Sequence, residues 1–396
     1  MNKNLRFIFE IITSVVSENG VVPVEPDGVD WNYIYAVSSK HNIINLIGYS
    51  VKKYGFSVPE DLKKIFIQRV YQLALINESQ LNHTYSVFDA FEKNGIDYMS
   101  LKGVDIKEIY PSGDMRVMGD ADILVRFSDI DRIKPIMDEL GFSYCGESNH
   151  EIIYKKEPYT KIELHKYMVP TYNDDLYSYY GDGWKLAKPK NSGSHRYTLS
   201  AEDNYIYLLT HFAKHYRDAG AGIKYLIDLW LYKQKFDNLD VEYVENQLQN
   251  LRLFDFYKNI EKLTACWFEN GVSDKTVENM TQFIVESGVH GSKEHRVLAE
   301  TVREYMDKDM KKAEKYRYVR MVFPSLQRMT AMYPILNKVP FLLPFCWVIR
   351  LVNGLTFKRK NITSSIERAG NIENDALENY KEHMEAVGLD IYNGRK

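Results

Sequence analysis

Two acidic side chains separated by a single residue, Asp120 and Asp122, are the most chemically informative feature of the sequence. They lie at the start of an apolar β-type run, Ile123-Leu124-Val125. Because side chains in a strand alternate between its two faces, residues i and i+2 point the same way. Two carboxylates held side by side repel each other unless a cation lies between them. Hard divalent ions such as Mg²⁺ prefer oxygen ligands of this kind, so the spacing predicts a metal site.

Two other stretches add groups to this predicted site, the first suited to a polyphosphate ligand and the second adding a third acid. Upstream, Lys102 and Gly103 follow a strand-like segment and offer an ammonium group and a backbone amide before a predicted helical turn. Downstream, Glu163 is a third acid in an alternating run, and His165 follows it on the same strand face. The combination predicts a site for metal-dependent phosphoryl or nucleotidyl transfer.

These motifs resemble those of the uncharacterised bacterial nucleotidyltransferase family, part of the DNA polymerase β-like nucleotidyltransferase superfamily. The residues that carry the resemblance are Ser100-Leu101-Lys102-Gly103, Tyr110-Pro111, Arg116, residues 119–125, Glu163-Leu164-His165, residues 211–215 and residues 226–229. Family members carry Asp-Ile-Asp where this chain has Ala121 between its two aspartates. The wider superfamily opens its site with Gly-Ser, where this chain has Lys-Gly.

The resemblance implies a reaction, a cofactor and a set of site residues. The implied reaction moves a nucleoside monophosphate from a nucleoside triphosphate (NTP) to a hydroxyl acceptor and releases pyrophosphate. ATP is the favoured donor, and a small molecule or a sugar is the favoured acceptor. Two Mg²⁺ ions, or Mn²⁺ in their place, would be held by Asp120, Asp122 and Glu163. Nucleotide binding is assigned to Lys102, Gly103, Arg116, His215 and Asp228.

Several of these residues have a second interpretation in the sequence. Arg116 lies in a loop that could cover the nucleotide, but a salt bridge to a neighbouring acid is the competing role. Asp228 could line the cleft or be buried beside His211 or Lys224. His211 and His215 are one helical turn apart, yet the His-Glu-x-x-His pattern of zinc proteases is absent, so a structural role stays open.

Two other functions stay open beside the small-molecule enzyme. A domain of the same fold could sense a nucleotide without turning it over, although the presence of all three acids favours catalysis. A nucleotidyltransferase could also act on tRNA or on a protein hydroxyl. The net charge of −3 does not favour nucleic acid, whereas the basic stretch from Lys308 to Arg328 does; such charges are commonly a solvated helix face.

The pattern along the chain predicts an α+β fold, with a small mixed β-sheet core flanked by N-terminal and C-terminal helical segments. The predicted segments are helices over 1–94, the catalytic core over 95–190, a helical acceptor- or nucleotide-covering domain over 191–325, and an apolar hairpin with a charged, partly exposed tail over 326–396. Residues 191–194 are polar and small, which predicts a flexible linker. Ser200 and Asp203 predict a capping box that opens a helix ending at Gly220.

The remaining features concern the location of the protein. Three scattered cysteines and the lack of a targeting signal at the N-terminus predict a cytoplasmic protein. The apolar stretch 339–349 is shorter than the ~20 residues of a transmembrane helix, which predicts that no segment spans a membrane. The basic run Lys358-Arg359-Lys360 follows it. Peripheral membrane contact through 339–360, a buried hairpin and an oligomer contact all stay open.

Overall fold

Seven strands of a computed structural model form one mixed sheet, in the order β3-β4-β5-β2-β1-β7-β6. The strands are β1 (Tyr98–Ser100), β2 (Ala121–Val125), β3 (Ser143–Glu147), β4 (Glu151–Lys156), β5 (Thr160–His165), β6 (Lys188–Pro189) and β7 (Arg196–Thr198). The β2–β5 and β1–β7 pairs are parallel, and the other neighbours are antiparallel. The predicted α+β class with a mixed sheet is confirmed.

The structure describes residues 1–17, 20–171, 173–289, 291–305, 322–324, 326–357 and 374–389. The helices before and within the sheet are α1 (Lys3–Val16), α2 (Trp31–Lys40), α3 (Ile44–Lys53), α4 (Glu60–Lys93), α5 (Val104–Lys107), α6 (Ile130–Glu139) and α7 (Asp174–Tyr180). Those that follow are α8 (Ala201–Ala219), α9 (Ile223–Lys235), α10 (Val241–Asn250), α11 (Phe254–Phe268), α12 (Lys275–Ser287), α13 (Lys293–Tyr305), α14 (Leu326–Met332), α15 (Leu343–Phe357) and α16 (Asn374–Ala386). Two predicted basic stretches, 308–320 and 358–360, lie outside the described residues.

The two faces of the sheet are covered by different helices. Ile123 and Val125 of β2 belong to a core cluster with Phe91 of α4 and Met137 of α6. The alternate residue, Leu124, belongs instead to the larger cluster that contains the apolar side chains of α8 and α9. This alternation places every second residue of β2 toward the C-terminal helices, which is the face that carries the acids.

Local capping sets the position of α8, which packs over the acidic face. The Ser200 hydroxyl oxygen accepts a hydrogen bond of 3.0 Å from the Asp203 backbone N–H, as the predicted capping box requires. The helix ends at Gly220, whose φ of +84° lies in the region that glycine adopts without strain. Both predicted ends of this helix are confirmed.

The polar stretch 191–194 is the turn of a hairpin. It joins β6 to β7, which pair antiparallel, with Lys188 opposite Thr198. The sheet therefore extends beyond the predicted boundary at residue 190, because β7 pairs in parallel with β1. Polar, small residues are as suitable for a hairpin turn as for a linker, so composition alone does not separate the two.

The charged tail contains a helix that joins the main core. On α16, Tyr380 and Met384 are buried, and the Tyr380 hydroxyl donates a 2.6 Å hydrogen bond to the Arg217 carbonyl oxygen. Apolar residues at a spacing of three and four mark this inner face among many charged neighbours. Within the described ranges, none of the helices combines the length and apolar character that crossing a bilayer requires. Cys145, Cys266 and Cys346 are all free.

We expect the substitution Gly48→Ala to destabilise the fold by about 1–3 kcal/mol, the usual cost of overpacking. A Cβ at Gly48 on α3 would lie 2.6 Å from Val70 Cγ2 and 2.7 Å from the Phe66 carbonyl oxygen on α4. The backbone oxygen cannot move away without distorting α4. Chemical denaturation would measure the loss. Gly55→Ala is the control, because a Cβ there meets no atom within 4 Å; equal stability of the two variants would contradict this packing.

Candidate active site

The register between β2 and β5 brings two acids of the predicted site together. The strands pair in parallel, so that Asp122 lies opposite Glu163 and Leu124 lies opposite His165. Asp122 is buried and Glu163 is half-buried. Ala121 points into the opposite core, away from both acids. The predicted alternation of faces is therefore confirmed for this pair of strands.

Three cationic or protonatable groups surround these acids. Lys102 Nζ lies 3.2 Å from Asp122 Oδ1, and His165 Nε2 lies 2.8 Å from the same oxygen. Lys161 Nζ forms ion pairs with Asp120 Oδ2, at 3.3 Å, and with Glu163 Oε1. Asp120 itself precedes β2 and is half-exposed. The acids are thus held as ion pairs by residues from several elements.

The environment gives the three acids different proton affinities. Burial raises the pKa of Asp120, and the negative charges of Asp122 and Glu163 raise it further. Burial also acts to raise the pKa of Asp122, but the Lys102 ammonium and the His165 hydrogen bond outweigh it and lower this pKa far below its usual range. Against the same effect of burial, hydrogen bonds from His165 and Lys161 lower the pKa of Glu163 to about 2. Asp122 and Glu163 are therefore ionised at neutral pH.

Two histidines, His165 and His150, continue the chain of polar contacts that begins at Asp122. His165 Nδ1 lies 3.0 Å from His150 Nε2. Burial disfavours the charged form of His165, but its hydrogen bonds to Asp122 and Glu163 raise its pKa overall. Burial, together with the nearby His165, lowers the pKa of His150 to about 2, so this ring is neutral. His165 is thus linked by a hydrogen bond to an acid of the site.

The residues that fit a metal ion overlap with the predicted set but do not coincide with it. Among the described residues, Asp122, Glu163 and His165 place one potential ligand atom each within 4.8 Å of one another, and so do His150, Glu151 and His165. Asp120 belongs to neither group. Two carboxylates and an imidazole suit a divalent cation, with Mn²⁺ accepting the nitrogen ligand more readily than Mg²⁺. The donor set at the predicted site therefore fits a metal.

The segment Lys102–Gly103 turns sharply beside the acids. Gly103 has a φ of +49°, and a Cβ there would lie 2.9 Å from Met118 Sδ, so a larger residue would be strained. The helix that follows, α5, has only four residues. The position of the Lys102 ammonium against Asp122 is therefore determined by this turn, and α5 is too short to contribute much of a helix dipole.

Arg116 and Asp228 form a buried, bidentate ion pair. Arg116 Nε and Nη2 each lie 2.7 Å from a different oxygen of Asp228. The Tyr110 hydroxyl donates a 2.8 Å hydrogen bond to the same carboxylate. Arg116 has 7% of its side chain exposed and also donates to the Gly103 carbonyl oxygen, at 3.4 Å. This geometry is the salt bridge that the sequence left open for Arg116. Asp228 is buried, as its second interpretation required, but the partner in its ion pair is Arg116 and not His211 or Lys224.

The facing helices contribute basic groups to the site. His211 Nε2 of α8 lies 3.0 Å from both Lys102 Nζ and His215 Nε2. Burial, together with the nearby lysines, lowers the pKa of His215 to about 3, so its ring is neutral. Lys214 and Lys224 are half-buried in the same region. Burial lowers the pKa of both, to about 8 for Lys224, where Arg116 also contributes.

Reasoning from the sequence missed four charged or polar residues of this site. Lys161 was recognisable, because it shares a strand face with Glu163 and His165. Lys214 and Lys224 are ordinary helical lysines in the sequence, and His150 lies in a loop without a motif. For these three, only the packing of distant segments places them at the site.

The α+β fold thus places acids on one sheet face and basic groups on the facing helices. The chain belongs to the uncharacterised nucleotidyltransferase family, whose model matches residues 27–269. The match includes the whole sheet and the helices from α2 to α11. No curated protein and no solved structure matches the chain.

Asp228→Asn should lower the free energy of unfolding by about 3–5 kcal/mol, because it leaves the buried charge of Arg116 without its partner. The matched control is Asp129→Asn. Its pair with Arg132 has the same 2.7 Å separation, but the arginine is 54% exposed, so a loss of at most about 1 kcal/mol is expected. Thermal and chemical denaturation measure both variants. An unchanged melting midpoint for Asp228→Asn would exclude a structural ion pair.

Proposed function

We propose that the protein is a metal-dependent nucleotidyltransferase that moves a nucleoside monophosphate from an NTP to a hydroxyl acceptor and releases pyrophosphate. The observation that carries this proposal is the group formed by Asp122, Glu163 and His165, whose ligand atoms lie within 4.8 Å of one another in a family of nucleotidyltransferases. ATP is the favoured donor, and a small molecule or sugar the favoured acceptor. We infer a cytoplasmic reaction from the three free cysteines.

Asp122 and Glu163 would be the principal ligands of a divalent ion, and Asp120 would join them for a second. When bound, such an ion would neutralise the negative charge that develops on the phosphate and on the attacking and leaving oxygens. Because the pKa of Glu163 is about 2, this carboxylate is a weak base, and we assign it to metal binding instead of proton removal. His165 holds Asp122 in place through its 2.8 Å hydrogen bond.

The lysines opposite the acids would bind the triphosphate. Lys102 already neutralises Asp122, whereas Lys214 and Lys224 have pKa values lowered by burial. The lowered pKa means that nearby negative charge does not offset the cost of burying the lysine's positive charge in the free protein. A bound polyanion would supply the missing negative charge. We therefore extend the predicted phosphate contact of Lys102 and Gly103 to these two lysines.

The other predicted nucleotide contacts have different roles in this proposal. Arg116 and Asp228 hold the loop before β2 against α9 through their ion pair. This arrangement supports a positioning role for both, in which they hold Gly103 and Lys224 near the acids. His215 contacts His211 and would approach the nucleotide as a neutral ring.

The transfer reaction is tested with triphosphates labelled at the α- or the γ-phosphate, and with cell extract as the source of acceptors. We expect the α-label to move to an acceptor while the γ-label leaves as pyrophosphate. Movement of the γ-label to an acceptor would indicate a phosphotransferase. Nucleotide binding in calorimetry without any release of pyrophosphate would indicate a sensing domain. Label that appears on tRNA or protein would identify the acceptor class and correct the favoured small molecule.

Asp122→Asn and Glu163→Gln should each lower turnover by more than tenfold, or more than about 1.4 kcal/mol of barrier. They should also weaken the binding of Mn²⁺ in calorimetry, because each removes a charged ligand. Asp131→Asn is the control, since its carboxylate is 94% exposed and pairs only with Lys134 among the described ion pairs. Near-normal turnover in either variant, with a normal melting midpoint, would show that these acids do not form the catalytic site.

Lys224→Ala should weaken triphosphate binding by about 1–3 kcal/mol and nucleoside binding far less, because the contact is to the phosphates. The pKa of Lys224 is about 8, so its charge is present below that pH and is lost as the pH rises through it. Triphosphate affinity of the unmodified chain should therefore fall as the pH rises above about 8, and the variant should lose that dependence. Lys235→Ala, at an exposed position of the same helix, is the control. Equal losses for triphosphate and nucleoside would remove Lys224 from the phosphate site.

A further inference from the structure

The segment 326–357 forms a small helical unit with a core of its own. Met329, Leu336 and Cys346 are its buried residues, and they form a cluster separate from the two main cores. Trp347 closes one side, where its indole N–H donates a 2.9 Å hydrogen bond to the Pro324 carbonyl oxygen. The unit lies outside the part of the chain that the family model matches.

One face of this unit is apolar and exposed. The side chains that form it are Phe341 (78% exposed), Phe345 (67%), Val348 (59%), Ile349 (48%) and Val352 (53%). Phe345, Val348, Ile349 and Val352 are spaced by three, one and three residues, which places them on one side of α15. Phe341 lies in the short 3-10 turn just before this helix, Pro340–Leu342. We call these five residues the apolar face. Exposed apolar patches of this kind mark an interaction surface.

The sequence around the apolar face is basic and without acids. From Met321 to Ile366 there is no Asp or Glu, whereas the basic residues are Arg328, Lys338, Arg350, Lys358, Arg359 and Lys360. The whole chain, by contrast, has a net charge of −3. Lys338, which precedes the apolar face, is exposed. The chemistry that complements such a segment is an apolar layer beneath a negatively charged surface.

We propose that the apolar face binds the surface of a bilayer that contains anionic phospholipids. Phe341 and Phe345 would enter the boundary between headgroups and acyl chains, and the exposed Lys338 would contact the lipid phosphates. The α15 helix has 15 residues, or about 22 Å of length, which suits a helix lying in the interface plane. The inference is independent of the proposed catalytic function. Of the alternatives that the sequence left open for this stretch, it takes peripheral membrane contact.

Sedimentation of the full chain with lipid vesicles tests the proposal. We expect binding to vesicles made of equal parts phosphatidylglycerol and phosphatidylcholine, weaker binding to phosphatidylcholine alone, and a loss of the difference at high salt. The double variant Phe345→Ser/Val348→Ser should lower the partition coefficient roughly tenfold or more, because it removes apolar area from the interface.

Phe127→Ser is the matched control, because Phe127 is 68% exposed and lies on the sheet domain far along the chain from the apolar face. It should leave vesicle binding unchanged. The exposed positions of all three substitutions predict unchanged melting midpoints, which would be checked for each variant. The charge variant Lys338→Gln should reduce binding to anionic vesicles only.

Three results would overturn the proposal. The first is no sedimentation with either type of vesicle, and the second is equal binding by Phe345→Ser/Val348→Ser and the unmodified chain. The third is a dimer in light scattering that the double variant abolishes while vesicles bind neither form; it would assign the apolar face to a second copy of the chain. Vesicle sedimentation and light scattering do not depend on nucleotide chemistry. A failure of the membrane proposal can therefore be told apart from a failure of the proposed catalytic function.

Discussion

The parallel pairing of β2 with β5 is the constraint on which the site depends. It places Asp122 directly opposite Glu163 on one sheet face, where both are largely removed from solvent. Like charges at this separation oppose folding unless cations compensate them. Lys102, Lys161 and His165 provide that compensation from the turn after β1 and from β5 itself.

A second charge pattern lies on the helices that pack against the acidic face of the sheet. Lys214 and Lys224 come from α8 and α9, and burial lowers the pKa of each. The Arg116–Asp228 pair ties the loop before β2 to α9, and so connects the acidic and the basic sides. A substrate that carries negative charge and binds a cation is complementary to both sides at once, and an NTP with a divalent ion has these properties.

The elements of the fold were largely predictable, because their signals are local. Helix α4, the α8 capping box and the alternating strands follow from the spacing of apolar and capping residues within short windows. The hairpin at 191–194 and the buried helix α16 were not predicted in their actual roles. In both, a polar sequence is compatible with two environments, and only distant partners, β1 for the hairpin and the main core for α16, select one.

For the site, the sequence by itself determined which acids share a strand face, because alternation is a local property of the chain. Lys102 and Gly103 are adjacent in the sequence, so the turn that they share, in which Gly103 has a positive φ, is also a local feature. The tertiary structure decided that Arg116 pairs with Asp228, that His150 meets His165, and which helical lysines face the acids. These contacts join residues far apart in the sequence, and no local pattern records which of several oppositely charged partners lies within reach. Strand register and helix packing make that choice, because they set which side chains share one small, poorly solvated volume.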